Sequence, residues 1–217
     1  MLIIAFGDVH MRTDRARDIP EIRKADCIVV TGDLTVRGGT KEVLPVLESL
    51  AALSQKVYAQ IGNMDKKEVD ELLSAREINL NGRGIRVGDV GLFGLGGSTP
   101  TPFGTPSEFS EAELDRRLWQ AYEDVRALRF KVLFSHTPPF NTLVDRVRSG
   151  YHAGSRSVRK FLEQTDCSLC VCGHIHEAVG TDQVGSTLVL NPGMLSYGGY
   201  ARIECDGTTL KASLERC

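Results

Sequence analysis

Five short apolar runs in this chain end in the same way. LIIAF leads into Gly7-Asp8-Val9-His10, CIVVT into Gly32-Asp33, and VYAQI into Gly62-Asn63-Met64-Asp65. KVLF leads into Ser135-His136, and CSLCVC into Gly173-His174-Ile175-His176. Apolar runs of this length, closed by turn-forming residues, read as buried strands. Four of the five histidines fall at these run ends. A chain built this way must bring its strand ends together, because open α/β sheets gather ligands in the crevice beyond the strands' carboxyl ends.

The rest of the chain supplies the layers around those strands. Strands are expected at Leu2–Phe6, Cys27–Thr31, Lys56–Ile61, Ile85–Val87, Val90–Leu95, Lys131–Ser135, Ser168–Cys172, Thr187–Leu190 and Ala201–Glu204. Helices are expected at Thr40–Leu53, with Leu44, Leu47, Leu50 and Ala51 at helical spacing, and at Lys66–Ala75 and Ser155–Gln164. The clearest helix is Ser110–Ala127, where Ser110 caps the start and Glu113 completes a capping box. Strands linked first by helices and later by short turns predict a layered α/β protein with two sheets packed between helices.

Composition bounds the function. A chain of 217 residues, 41% hydrophobic and 25% charged, suits one domain spanning 1–217. A net charge of −2 is unlike the basic footprint of a duplex-DNA binder. No apolar run approaches the roughly 18 residues of a membrane span. Leu2–Phe6 runs straight into Gly7-Asp8 without the parts of a signal peptide, so a cytoplasmic location is expected. The six cysteines are too sparse for a disulfide framework. Cys167, Cys170 and Cys172 lack a second CxxC partner, so CSLCVC reads as a buried strand of small apolar side chains rather than a zinc knuckle.

The polar groups at the strand ends form a coherent ligand set: Asp8, His10, Asp33, Asn63, His136, His174 and His176. Carboxylate, imidazole and amide oxygen suit Mn, Fe, Zn or similar ions without thiolate. One tetrahedral ion needs four ligands. Two ions sharing Asp33 would use the whole set. Two metals about 3.5–4 Å apart can generate a hydroxide and clamp a transferring phosphoryl group. Gly32, Gly62 and Gly173 precede ligands, where tight turns or close backbone approach are needed.

In order and spacing, GDVH, Gly32-Asp33, GNMD, Ser135-His136 and GHIH resemble the five blocks of the calcineurin-like metallophosphoesterase superfamily. GHIHEAVG followed by LVLNPG resembles its small single-domain prokaryotic members. The resemblance spans residues 7–176. It implies a four-layer α-β-β-α sandwich of two mixed sheets flanked by helices. It also implies two divalent ions, Mn²⁺ foremost and Fe, Zn or Ni as alternatives. One ion would be held by Asp8, His10, Asp33 and His176, the other by Asp33, Asn63, His136 and His174. The implied reaction is in-line attack on a phosphate ester by a hydroxide bridging the ions, with Asp33, Asn63 and Asp65 in the catalytic machinery and Asp65 orienting its surroundings.

One departure bears on the chemistry. The third block usually carries His after Gly-Asn, a residue that protonates the leaving oxygen; here it is Met64, which has no proton to give. General acid catalysis typically contributes about 10²–10⁴-fold. Some members of the family with a residue other than His here, often Cys, are phosphodiesterases, and the resemblance therefore tilts the expectation toward diesters. His152, in the basic stretch DRVRSGYHAGSRSVRK, is a candidate replacement donor, and Arg146, Arg148 and Arg156 are candidates for phosphate contact. The glycine-rich stretch 92–109 matches neither the dinucleotide nor the Walker pattern. It reads either as a turn-rich rim of the substrate pocket, with Phe103 or Phe109 available to stack on a base, or simply as a long connection before the Ser110 helix.

The expected activity is therefore that of a metal-dependent phosphoesterase, with diesters favoured over monoesters. Its partner would be a small phosphate ester, nucleotide-derived substrates included, with no membrane or duplex DNA involved. A homo-oligomer stays open. The alternative is a protein-binding scaffold of the same fold with weak or no catalysis. A decaying enzyme should lose ligands, and all seven are present here.

Overall fold

Strand β1 (Leu2–Phe6) shows why the molecule is layered. Its side chains alternate, and both faces are apolar. Ile4 and Phe6 enter one buried cluster, while Ile3 and Ala5 enter another. A strand buried on both faces needs a layer on each side. The computed structural model describes residues 1–217 and shows those layers.

The first sheet adds β2 (Cys27–Val30), β3 (Val57–Ala59), β10 (Gly199–Cys205) and β11 (Leu210–Arg216), in the order β11-β10-β1-β2-β3. Strands β1, β2 and β3 run parallel, and β10 and β11 are antiparallel. The second sheet holds β4 (Gly84–Val87), β5 (Val90–Leu95), β6 (Phe130–Ser135), β7 (Leu169–Cys172), β8 (Gly180–Val184) and β9 (Thr187–Asn191), in the order β4-β5-β6-β7-β9-β8. It too is mixed, with antiparallel β4 and β8 at its edges.

Three apolar clusters bind four layers. Between the sheets, Ile3, Ala5, Cys27 and Val29 meet Leu92, Val132, Phe134 and Val171. Outside the first sheet lie α1 (Thr40–Ala51) and α2 (Lys67–Ala75), which contribute Val43, Val46, Leu47, Leu50, Val69 and Leu73. Outside the second lie α3 (Glu111–Glu123) and α4 (Arg156–Gln164), whose Leu114, Leu118, Val158 and Phe161 pack on Phe93, Leu133, Cys170 and Cys172. The result is an αββα sandwich. Cys170 and Cys172 are buried strand residues with free thiols.

Helix α1 buries Leu47 and Leu50 as its spacing predicts, but its inward face is rotated toward Val43 and Val46, leaving Leu44 half-buried and Ala51 exposed. Ser110 caps α3 and Glu113 closes its box. The helix stops at Glu123, because 122–128 tightens into three-residue turns before β6. Strands β8 and β11 go beyond the expected set. Both are edge strands. β8 is too polar for any alternation to mark it, whereas β11 does alternate, with Leu210, Ala212 and Leu214 packed on the core between the sheets. Strand β3 is shorter than its apolar run. Past its end, buried Gln60 reaches across the sandwich, donating from Nε2 to the carbonyls of Leu95 and Phe134 at 2.9 Å each. That tie holds the carboxyl ends of the two sheets together.

Candidate active site

The side chains after β1, β2, β3, β6 and β7 converge on one edge of the sandwich. One ligand atom each from Asp8, His10, Asp33 and His176 lies within 4.8 Å of the others. His176 Nε2 is 3.1 Å from Asp8 Oδ1 and 3.4 Å from His10 Nε2. Beside them, Asn63 Oδ1 lies 2.9 Å from His136 Nε2 and 2.8 Å from His174 Nδ1. Asp33 stands between the groups. Its Oδ2 is 3.7 Å from His10 Nε2, and its Oδ1 is 3.5 Å from His136 Nε2.

Local backbone geometry makes this crowding feasible. Asp8, His10, Asp33 and His174 have φ of 51°, 45°, 53° and 68°. Residues other than glycine rarely enter this left-handed region, and strain of this kind clusters at functional sites. The glycines beside them are there for space. A Cβ at Gly62 would fall on the Asp33 carboxylate, and one at Gly173 would come within 2.6 Å of Asp8 Oδ2.

The next hydrogen bonds orient the rings. His136 Nδ1 lies 3.2 Å from the Thr31 carbonyl, and His10 Nδ1 lies 3.3 Å from that of Thr35. A carbonyl only accepts, so each Nδ1–H donates and each neutral ring turns the lone pair of Nε2 inward. The Nε2 of His136 then faces the Asn63 oxygen, acceptor against acceptor, an arrangement that a shared cation satisfies. Asp65 is fully buried and accepts from Leu34 N (3.1 Å), Thr35 N (2.8 Å), Thr35 Oγ1 (2.7 Å) and Gly62 N (2.9 Å). It clamps the loop after β2 to the turn after β3.

Charge also calls for a cation. Asp8, Asp33 and Asp65 are buried close together, and neither Lys nor Arg forms an ion pair with any of them. Burial, with Asp8 and Asp65 beside it, pushes the Asp33 carboxyl well above its ordinary value. Burial also pushes His136 down to about 3 and His174 down to about 4, so both are neutral and ready to ligate at pH 7. Among these histidines only His176 rises: burial lowers it, but the hydrogen bond to Asp8 and the charges of Asp8 and Glu177 together outweigh burial. Uncompensated carboxylates among neutral imidazoles, with no thiolate present, fit divalent ions such as Mn²⁺, Fe²⁺ or Zn²⁺.

Residues 1–206 match the calcineurin-like phosphoesterase superfamily domain. The chain belongs to this superfamily. The protein MJ1162 of Methanocaldococcus jannaschii is 36% identical over 207 residues, covering 92% of this chain and 91% of that protein. TT1561 of Thermus thermophilus superposes with a TM-score of 0.73 at 16% identity, over 98% of this chain and 97% of that one. A structure described as a dimetal phosphatase from Danio rerio superposes with a TM-score of 0.66 at 13% identity, over 100% of this chain and 96% of that one. These two superpositions establish the fold, the αββα sandwich of the superfamily. No helix is long and apolar enough to cross a membrane.

A cleft of about 1330 Å³ opens over the Asp and His cluster. Met64 lines it and contributes no proton. His152 lines it too, as do Arg156 and Phe103. The structure departs from sequence expectation at the rim. Arg146 and Arg148 are exposed and lie off the cleft. Phe109 is half-buried beneath the Arg117 guanidinium, 3.9 Å from its ring centre, and does not line the cleft. Phe103 is 77% exposed at the rim, and Tyr151, which sequence patterning did not single out, is 70% exposed there. Arg37 was also missed. It donates to the carbonyls of Phe103 (2.9 Å) and Gly104 (3.2 Å), fixing the rim loop from across the cleft. No motif marks these residues; their role comes from where the loops meet.

Proposed function

We propose that this protein is a metal-dependent phosphoric ester hydrolase that holds two divalent ions, Mn²⁺ foremost, and favours diesters. The observation that carries the reading is Asp33, which turns one carboxylate oxygen toward His10 and the other toward His136. Asp8, His10, Asp33 and His176 would hold one ion, and Asp33, Asn63, His136 and His174 the other. When bound, the ions would supply a nucleophilic oxygen at neutral pH and neutralise charge on the phosphoryl group.

The chain's own residues do the rest. Asp65 holds the Asp33 and Asn63 loops in register. Met64 leaves the floor of the cleft without an acid, which favours substrates whose leaving group needs little help. His152 on the cleft wall is the candidate proton donor for the others. The Arg156 guanidinium, stacked 4.0 Å over the Phe140 ring, offers a fixed positive charge to a phosphate oxygen. Exposed Phe103 and Tyr151 suit a substrate with a flat organic group, such as a nucleotide-derived diester.

The test compares a chromogenic phosphodiester with its monoester in Mn²⁺, for the wild type and for Asp33→Asn and His136→Ala. Diester hydrolysis lost in both variants is expected. No metal-dependent hydrolysis of either ester would favour the scaffold reading. Monoesterase activity alone would refute the diester preference.

A further inference from the structure

The loop between β6 and α4 is organised around one buried carboxylate. Asp145 is 0% exposed. Its Oδ2 accepts from Asn141 N and Gly154 N, both at 3.0 Å. Its Oδ1 accepts from Thr142 N at 2.8 Å, Thr142 Oγ1 at 3.2 Å and His152 Nδ1 at 2.7 Å. Bridges between Pro139 and Ser155 and between Arg146 and His152 close the loop at both levels. No Lys or Arg pairs with Asp145; its only ionisable partner is His152.

That arrangement treats the two nitrogens of His152 differently. Nδ1 faces a carboxylate surrounded by donors, so it carries the hydrogen and donates it. Nε2 has no protein partner, and the ring, with 29% of the side chain exposed, borders the cleft above the Asp and His cluster. Phe140 packs edge-on at 5.9 Å and limits rotation of the ring.

We infer that Asp145 is a positioning residue that fixes the Nδ1–H form of His152 and supports its cation, so that Nε2 delivers the proton missing at Met64. The step rests on the phosphoesterase reading. Oxygen from water forms the new bond to phosphorus as the bond to the leaving oxygen breaks. The leaving oxygen takes the electron pair and the proton on His152 Nε2. His152 is left neutral with its Nδ1–H on Asp145, and the proton released by the attacking water returns to Nε2 through solvent.

Two measurements test this on the full chain. The first is ¹⁵N NMR of the wild-type imidazoles at alkaline pH. The Nδ1–H form is expected, with that signature lost in Asp145→Asn; an Nε2–H form in the wild type overturns the proposal whatever the activity. The second compares an alkyl phosphodiester with its analogue carrying sulfur at the leaving position, whose thiolate departs unprotonated. His152→Ala and Asp145→Asn should each lower kcat about 10²-fold or more on the oxygen ester. Both should stay within threefold on the sulfur ester, with KM little changed. Equal losses on both esters would make Asp145 a loop-folding residue only and overturn the proposal. If Asp145→Asn does not fold, the wild-type spectrum and His152→Ala still decide. A wild type that cleaves neither ester fails the phosphoesterase reading, while the NMR arm reports on the Asp145–His152 pair separately.

Discussion

Replacing Asp65 with asparagine changes one atom in the interior and should loosen the site from beneath. Four donors converge on the carboxylate, two on each oxygen. Asparagine offers one acceptor oxygen and turns N–H groups toward whichever pair it does not serve. Facing Leu34 and Gly62 would strand two backbone N–H groups. Facing Thr35 strands one, because the Thr35 hydroxyl also has the Gly38 carbonyl at 3.3 Å. The second orientation wins. An orphaned buried N–H costs about 1–3 kcal/mol, and two remaining bonds lose their charge assistance at about 1 kcal/mol each. Removing a negative charge beside Asp33 returns part of this, leaving a net loss of about 2–4 kcal/mol. For a chain of this size that lowers Tm by about 5–15 °C. Urea unfolding of the metal-free protein, followed by circular dichroism, measures the loss directly. The midpoint should fall with an unchanged m-value. A loss below about 1 kcal/mol would mean that Asp65 is not the charged acceptor described here.

Three further outcomes are expected. Met64→His places an imidazole on the cleft floor and should raise turnover of esters with poor leaving groups by about 10-fold or more; no gain in steady-state assays would show that acid catalysis is already supplied or unnecessary. Chelation should lower Tm, since the buried carboxylates lose their compensating charge, and added Mn²⁺ should restore it in a concentration-dependent way; a Tm indifferent to both would contradict a built metal site. In the metal-free protein the two buried imidazoles should also contribute a loss of stability on acidification. His136 and His174 fall to about 3 and about 4 in the fold, below the unfolded value near 6.5, so the unfolded chain binds more protons in between. Their contribution is present above about pH 6.5 and is lost as pH falls toward 4, with a slope of up to about 1.4 kcal/mol per pH unit for each. The raised Asp33, Asp65 and His176 act in the opposite sense on the total stability, so the check is imidazole NMR of the metal-free protein: His136 or His174 protonating near the unfolded value of about 6.5 would refute buried neutral imidazoles.

The alternation of Ile3, Ile4, Ala5 and Phe6, all apolar, already demanded a layer on each side of β1. The acids and histidines after five apolar runs named the candidate ligands and their order, because side-chain chemistry and strand termination are both local. Met64 was legible as a missing proton for the same reason. The polar edge strand β8 was not, since an edge strand needs only one partner and little apolar pattern; β11 does carry a pattern, with Leu210, Ala212 and Leu214 alternating with polar residues.

Only the assembled sandwich decided the rest. Strand order and crossovers bring together residues far apart in the chain, and no local pattern records those meetings. They put Gln60 across both sheets, gave Asp33 one oxygen for each half of the ligand set, and drew Arg37 to the rim loop at Phe103. The left-handed backbone at Asp8, His10, Asp33 and His174 is likewise held by surroundings that over-determine it. The sequence offered His152 as a possible acid; the fold of its loop supplied the buried carboxylate that turns it.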